Sequence, residues 1–68
     1  MKLIVNGKEI ETEPEITVEA LLAWSLKTGA RDGVAVAVNG EVVPKGSWSK
    51  RSLEAEDRVE IIRAVQGG

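Results

Sequence analysis

Leu3-Ile4-Val5-Asn6-Gly7-Lys8-Glu9-Ile10-Glu11 decides how this chain folds. A run of aliphatic, β-favouring residues meets Asn-Gly, the pair that best tolerates the positive φ angles of a two-residue type I′ turn. Past the turn, Lys8, Ile10 and Thr12 alternate with Glu9, Glu11 and Glu13, so a second strand returns beside the first. Pro14 stops the ladder because it has no N–H to donate. Glu9, Glu11, Glu13 and Glu15 read as the wet face and exit of an edge strand, where charge discourages aggregation.

Working outward, Thr17 begins a helix expected to run to about Thr28. Its hydroxyl can accept a bond from a free N–H of the first turn. Val18, Leu21, Leu22 and Leu26 recur at helical spacing as one apolar stripe. Val34-Ala35-Val36-Ala37-Val38 alternates large and small with period two and reads as a strand. Asn39-Gly40 repeats the hairpin signal, leading into Glu41-Val42-Val43 and stopping at Pro44. The stretch from Lys45 to Asp57 is polar, with Trp48 and Leu53 as its anchors. Arg58 to Ala64 forms the final strand, and Val65-Gln66-Gly67-Gly68 closes the sequence.

The order β-β-α-β-β-β predicts an α+β roll, a mixed sheet of four to five strands packed on one helix. The body spans residues 1–64, followed by a flexible Gly-Gly tail over 65–68. The first and last strands are apolar on both faces, which places them side by side in the middle. Leu3, Val5, Val36, Val38, Val59 and Ile61 then face the helix, and Ile4, Ala35, Ala37, Ile62 and Ala64 face outward. That outer set is a candidate docking patch for a partner.

Composition narrows the function. In 68 residues there is no cysteine and no histidine, which removes disulfides, thiolate zinc sites and nucleophile–imidazole pairs. A net charge of −2 argues against binding nucleic acid or an anionic membrane by charge. No apolar run matches a signal peptide or a membrane span, so a cytoplasmic location is expected. Glu54, Glu56 and Asp57 read as a solvated turn, lacking the spaced oxygen ligands of a calcium loop. Trp24 and Trp48 read as packing anchors, since no basic groove accompanies them. The serines lack an activating base, and no metal site or catalytic constellation emerges.

The ending Gln66-Gly67-Gly68 is the chemically distinctive feature. Residues without side chains can thread a narrow channel and approach a reactive centre closely. The terminal carboxylate is ionised at neutral pH and is a poor electrophile. It must first be activated, most simply as an acyl-adenylate formed from ATP, after which a persulfide or an amine can displace AMP.

This pattern resembles the ubiquitin-like β-grasp family. More narrowly, Val36-Ala37-Val38-Asn39-Gly40-Glu41-Val42-Val43-Pro44, Trp48, Asp57-Arg58-Val59-Glu60-Ile61 and Ala64-Val65-Gln66-Gly67-Gly68 look like the ThiS family, the sulfur carrier of thiamine biosynthesis. The opening Ile4-Val5-Asn6-Gly7 and the helix start at Thr17 fit the same pattern. The resemblance implies a protein co-substrate and not an enzyme. It binds no cofactor, and ATP is consumed by an adenylating, ThiF-like partner acting on Gly68. A sulfur donor such as a cysteine-desulfurase persulfide then yields a thiocarboxylate, used by a ThiG-like thiazole synthase. Val65, Gln66 and Gly67 are implied to enter partner sites in extended form, and the carrier alone is expected to be a monomer. One departure stands out: the family often has glycine where this chain has Glu56, which costs ~1–2 kcal/mol if that turn needs positive φ.

Three alternatives stay open on the sequence. A molybdopterin-type sulfur carrier shares the tail and its activation, although such carriers are richer in phenylalanine, which is absent here. A ubiquitin-like modifier would be joined through Gly68 to target lysines. A passive binding module would use only its sheet face.

Overall fold

The computed structural model describes residues 1–25 and 33–63. Its elements run β1 (Lys2–Val5), β2 (Lys8–Glu11), α1 (Val18–Ser25), β3 (Val34–Val38), β4 (Glu41–Val42), a 3₁₀ turn (Lys45–Ser47) and β5 (Arg58–Arg63). The expected order is therefore observed. Leu26 and the expected helix end near Thr28 lie outside the described residues.

Both Asn-Gly pairs make the anticipated turns. Asn6 and Gly7 have φ of 51° and 82°, and Asn39 and Gly40 have 51° and 85°. Positive φ at both central residues matches the right-handed twist of the strands they join. The resulting hairpins assemble into one 5-stranded sheet in the order β2-β1-β5-β3-β4. β1 and β5 are parallel neighbours, with Ile4 opposite Arg58 and Val5 opposite Val59, and every other pairing is antiparallel. The first and last strands thus lie inside the sheet, as expected, although the outer face of β5 carries Arg58 and Glu60 beside Ile62. β2 is an edge, and its glutamates are exposed.

Helix α1 begins where Thr17 places it. The Ala20 N–H donates to Thr17 Oγ1 at 3.1 Å and the Leu21 N–H to the Thr17 carbonyl at 3.0 Å. The two remaining N–H groups of the first turn donate outside the helix, Val18 to Arg51 O at 2.9 Å and Glu19 to Trp48 O at 3.1 Å. Val18, Glu19 and Ala20, the helical residues whose N–H groups have no partner within the helix backbone, are thereby satisfied. The 45–53 segment is the reason, since it folds under the helix N-terminus as a fitted lid.

Val18, Leu21 and Leu22 meet Leu3, Val36, Val38 and Val59 from the sheet, and Val43, Trp48 and Leu53 close the core from the long connection. Val5 and Ile61 are partly buried against the same cluster. Trp48 is 4% exposed, and its indole N–H donates to the Val43 carbonyl at 2.9 Å, so this anchor also satisfies its one polar atom.

Two expectations fail. Trp24 is 61% exposed and does not anchor the core. It follows Leu22 by two residues, about 200° round the helix, which turns it off the buried stripe. Asp57, expected in a solvated turn with Glu54 and Glu56, is buried, while both neighbours are exposed. Its carboxylate accepts the Glu54 N–H at 2.8 Å and the Asn39 side-chain amide at 3.0 Å, partners no local pattern announces.

Glu56 has φ of 72°, so the turn does need the left-handed conformation that glycine adopts freely. The glutamate recovers something there, because Lys2 Nζ lies 3.6 Å from its carboxylate. An exposed pair of this kind contributes at most ~1 kcal/mol. Glu56→Gly removes strain of ~1–2 kcal/mol but frees the unfolded chain. The expected net gain is below about 1 kcal/mol, larger at high salt where the ion pair is already screened, and is read by urea unfolding at two ionic strengths.

Candidate functional site

The terminal residues Val65, Gln66, Gly67 and Gly68, with Ala64 before them, lie outside the described residues. What the structure describes is their root: β5, which ends at Arg63 in the middle of the sheet.

β5 is gripped from both sides. Towards β3 it pairs antiparallel from Val38 opposite Val59 to Val34 opposite Arg63. Towards β1 the parallel register covers only Arg58 and Val59, with the Asn6 N–H donating to the Val59 carbonyl at 2.9 Å. Beyond that point β1 turns away, and the Asn6 side chain takes over. Its Oδ1 accepts the Ile61 N–H at 2.8 Å and its Nδ2 donates to the Ile61 carbonyl at 3.3 Å. Asn39 makes a related clamp at the start of the strand, where its Oδ1 accepts the Arg58 N–H at 2.9 Å. Sequence reading used both asparagines only as turn formers. Their second role depends on residues 55 and 19 positions away, which no local signal marks.

The strand register also settles the uncovered face. Ile4 lies opposite Arg58, Ala37 opposite Glu60, and Ala35 opposite Ile62, so all six share the side away from the helix. Ala37 also pairs with Val42, adding a residue missing from the expected set. Val42 is 75% exposed and Ile62 62% exposed; Ala35 is exposed, and Ile4 and Ala37 are half-buried. Ala35, Ala37, Val42 and Ile62 form one apolar area flanking the end of β5. Ile4 sits across β5 from them, with Arg58 and Glu60 between. The face is therefore an apolar patch crossed by two charged residues, Arg58 and Glu60, that the expected set did not include.

Among the described residues, no group of three or more His, Cys, Asp or Glu side chains is placed to hold a metal ion. No described helix is long and apolar enough to cross a membrane.

Comparison with known proteins identifies this arrangement. The ThiS family model matches residues 3–68, nearly the whole chain. This chain belongs to the ThiS family. A crystal structure of the thiamine biosynthesis protein ThiS from Geobacter metallireducens superposes with a TM-score of 0.82 over 100% of both chains at 31% identity. The fold is thus the ubiquitin-like β-grasp. The sulfur carrier protein ThiS of Escherichia coli is 25% identical over the full length of both chains. A thiazole synthase from Paramagnetospirillum magneticum is 41% identical across all of this chain, but the chain spans only 20% of that protein's length. Both the ThiS-length relatives and part of a larger thiazole synthase are therefore similar to the same 68-residue unit.

Proposed function

We propose that this ThiS-family chain is a sulfur carrier for thiazole formation in thiamine biosynthesis, loaded at Gly68. The observation that carries the reading is the family match, which spans residues 3–68. The name of the Escherichia coli relative supports sulfur carriage, and the similarity to part of a thiazole synthase supports that enzyme as the acceptor.

The chemistry follows from what a carboxylate lacks. Its delocalised charge repels nucleophiles, so a ThiF-like enzyme first lets a Gly68 oxygen attack the α-phosphorus of ATP, releasing pyrophosphate. The terminal sulfur of a donor persulfide then displaces AMP to give an acyl persulfide. A thiol cleaves its S–S bond, forming a disulfide and leaving the Gly68 thiocarboxylate. That sulfur is softer and more polarizable than oxygen, and the thiazole synthase receives it without release of free sulfide. The chain itself contributes the tethered terminus and the docking face, and the partners contribute catalysis in the cytoplasm.

On this reading the area around Ile62 docks the body while residues 65–68 enter the partner's site. Ile62→Glu places a charge on the exposed centre of that area and is expected to raise the carrier concentration for half-maximal activation about tenfold, with melting unchanged. Titrating the activating enzyme with either chain measures this.

The direct test is an intact mass spectrum after incubation with the cognate adenylating enzyme, ATP and a persulfide donor, beside a chain lacking Gly68. The expected result is a gain equal to one oxygen exchanged for sulfur, absent from the shortened chain. An adduct linked by an amide to another protein would instead establish a modifier. No change with an active enzyme would leave only a passive module.

A further inference from the structure

We propose that Asn6 is a positioning residue for the carrier's terminus, its amide acting as an extra rung of β1 that fixes how the chain leaves β5. The inference rests on the sulfur-carrier reading and adds a requirement to it. The end of a strand bonded along one edge alone has more freedom than one held on both. Asn6 binds both polar backbone atoms of Ile61, at 2.8 Å and 3.3 Å, on the side where β1 has already turned away, which extends the two-sided grip on β5 to within two residues of its end at Arg63.

Ile61 is the last residue of β5 seen to be held on the β1 side, and Gly68 follows it by seven residues. At ~3.3–3.6 Å per extended residue, that length sets a maximum reach of about 24 Å from the clamp to the terminus. Loosening Ile61 leaves the reach available but spreads the direction of departure. The terminal carboxylate then samples more positions for each productive one. Docking by the sheet face is untouched, so the loss falls on turnover in the bound complex and not on binding. Asn39 provides the contrast, since it clamps Arg58 at the opposite end of the strand.

Two variants separate positioning from simple stabilisation. Asn6→Gly keeps the positive φ of the turn and removes both side-chain bonds. Asn6→Asp keeps an acceptor for the Ile61 N–H and loses the donor. Each full-length chain is titrated into ATP–pyrophosphate exchange with the cognate adenylating enzyme, at a temperature where circular dichroism shows every chain folded. Asn6→Gly is expected to lower kcat about tenfold with little change in KM, and Asn6→Asp to fall between it and the native chain. Amide exchange at Ile61 should quicken while that at Val36 does not.

Equal kcat in Asn6→Gly, despite faster Ile61 exchange, would reduce Asn6 to a structural residue and overturn the proposal. So would unchanged exchange at Ile61. Absence of ATP–pyrophosphate exchange with the native chain would be a different failure: it would sink the carrier reading and this role with it.

Discussion

Replacing Gly67 by valine is expected to slow activation by about 100-fold while leaving the melting temperature unchanged. The stability half of this expectation comes from the core. Among the described residues, every buried apolar side chain lies between Leu3 and Val59, and β5 is bonded on both sides by residues before Arg63. The activation half comes from the reaction. On the proposed route, a carboxylate must be brought in line with a phosphorus atom inside a channel that excludes water. A branched side chain next to it displaces the terminus from the only position that reacts, and misplacement by about 1 Å is enough to cost ~100-fold. Alanine, with one carbon added, should fall between glycine and valine. Deleting Gly68 instead shortens the reach by up to ~3.6 Å and should stop loading altogether. Single-turnover adenylation, followed as pyrophosphate release, gives the rates. Native rates for Gly67→Val would mean that the terminus reacts outside any fitted channel, and the proposed route through Gly68 would lose its physical basis.

The parts of this molecule that were legible in its sequence share one property: their causes lie within a few residues. Asn6-Gly7 and Asn39-Gly40 carry their turn geometry in two residues. Thr17 caps the helix through Ala20, three positions on. The placement of β1 and β5 together followed from apolar residues on both faces, a reading of composition more than of contact. Even the strain at Glu56 was visible, because a side chain stood where the resemblance led one to expect glycine.

What the sequence hid depends on register and on distant partners. Val42 joins the outer patch only because it pairs with Ala37, and a slip of one residue would have buried it. Trp24 looked like an anchor by residue type, yet its angular position on α1 leaves it exposed. Asn6 and Asn39 disclose their clamps only when β5 lies beside them. The candidate site is thus half readable. Its proposed chemical end, Gly67-Gly68, is an expectation from the sequence that lies outside the described residues, while the devices that hold the root of β5 are tertiary.

Asp57 is the clearest of those devices, and Asp57→Ala is expected to be strongly destabilising although it removes no apolar core side chain. The side chain sits 8% exposed at the point where that connection enters β5. One carboxylate oxygen accepts the Asn39 amide at 3.0 Å, tying the β3–β4 turn to β5; the other accepts the Glu54 N–H at 2.8 Å, closing the preceding turn. Its backbone carbonyl accepts the Ile4 N–H at 3.0 Å, which starts the central parallel pairing. Alanine retains that backbone bond and removes the acceptor from two part-buried donors. Hydrogen bonds to a charged acceptor contribute ~1.5–3 kcal/mol each, and because these two are part-buried the loss falls at the lower end of their sum, about 3 kcal/mol. A chain of 68 residues has a total stability of ~3–10 kcal/mol, which makes this loss a large part of the whole. Asp57→Asn tests the assignment more finely. It preserves shape and one acceptor but turns an amide towards one donor, and should cost about half as much. Urea unfolding of the three chains provides the measurement. If Asp57→Asn and Asp57→Ala both match the native midpoint, the buried carboxylate does not join the two turns. If instead both fall, with asparagine intermediate, the same bonds that stabilise the domain also fix where β5 begins.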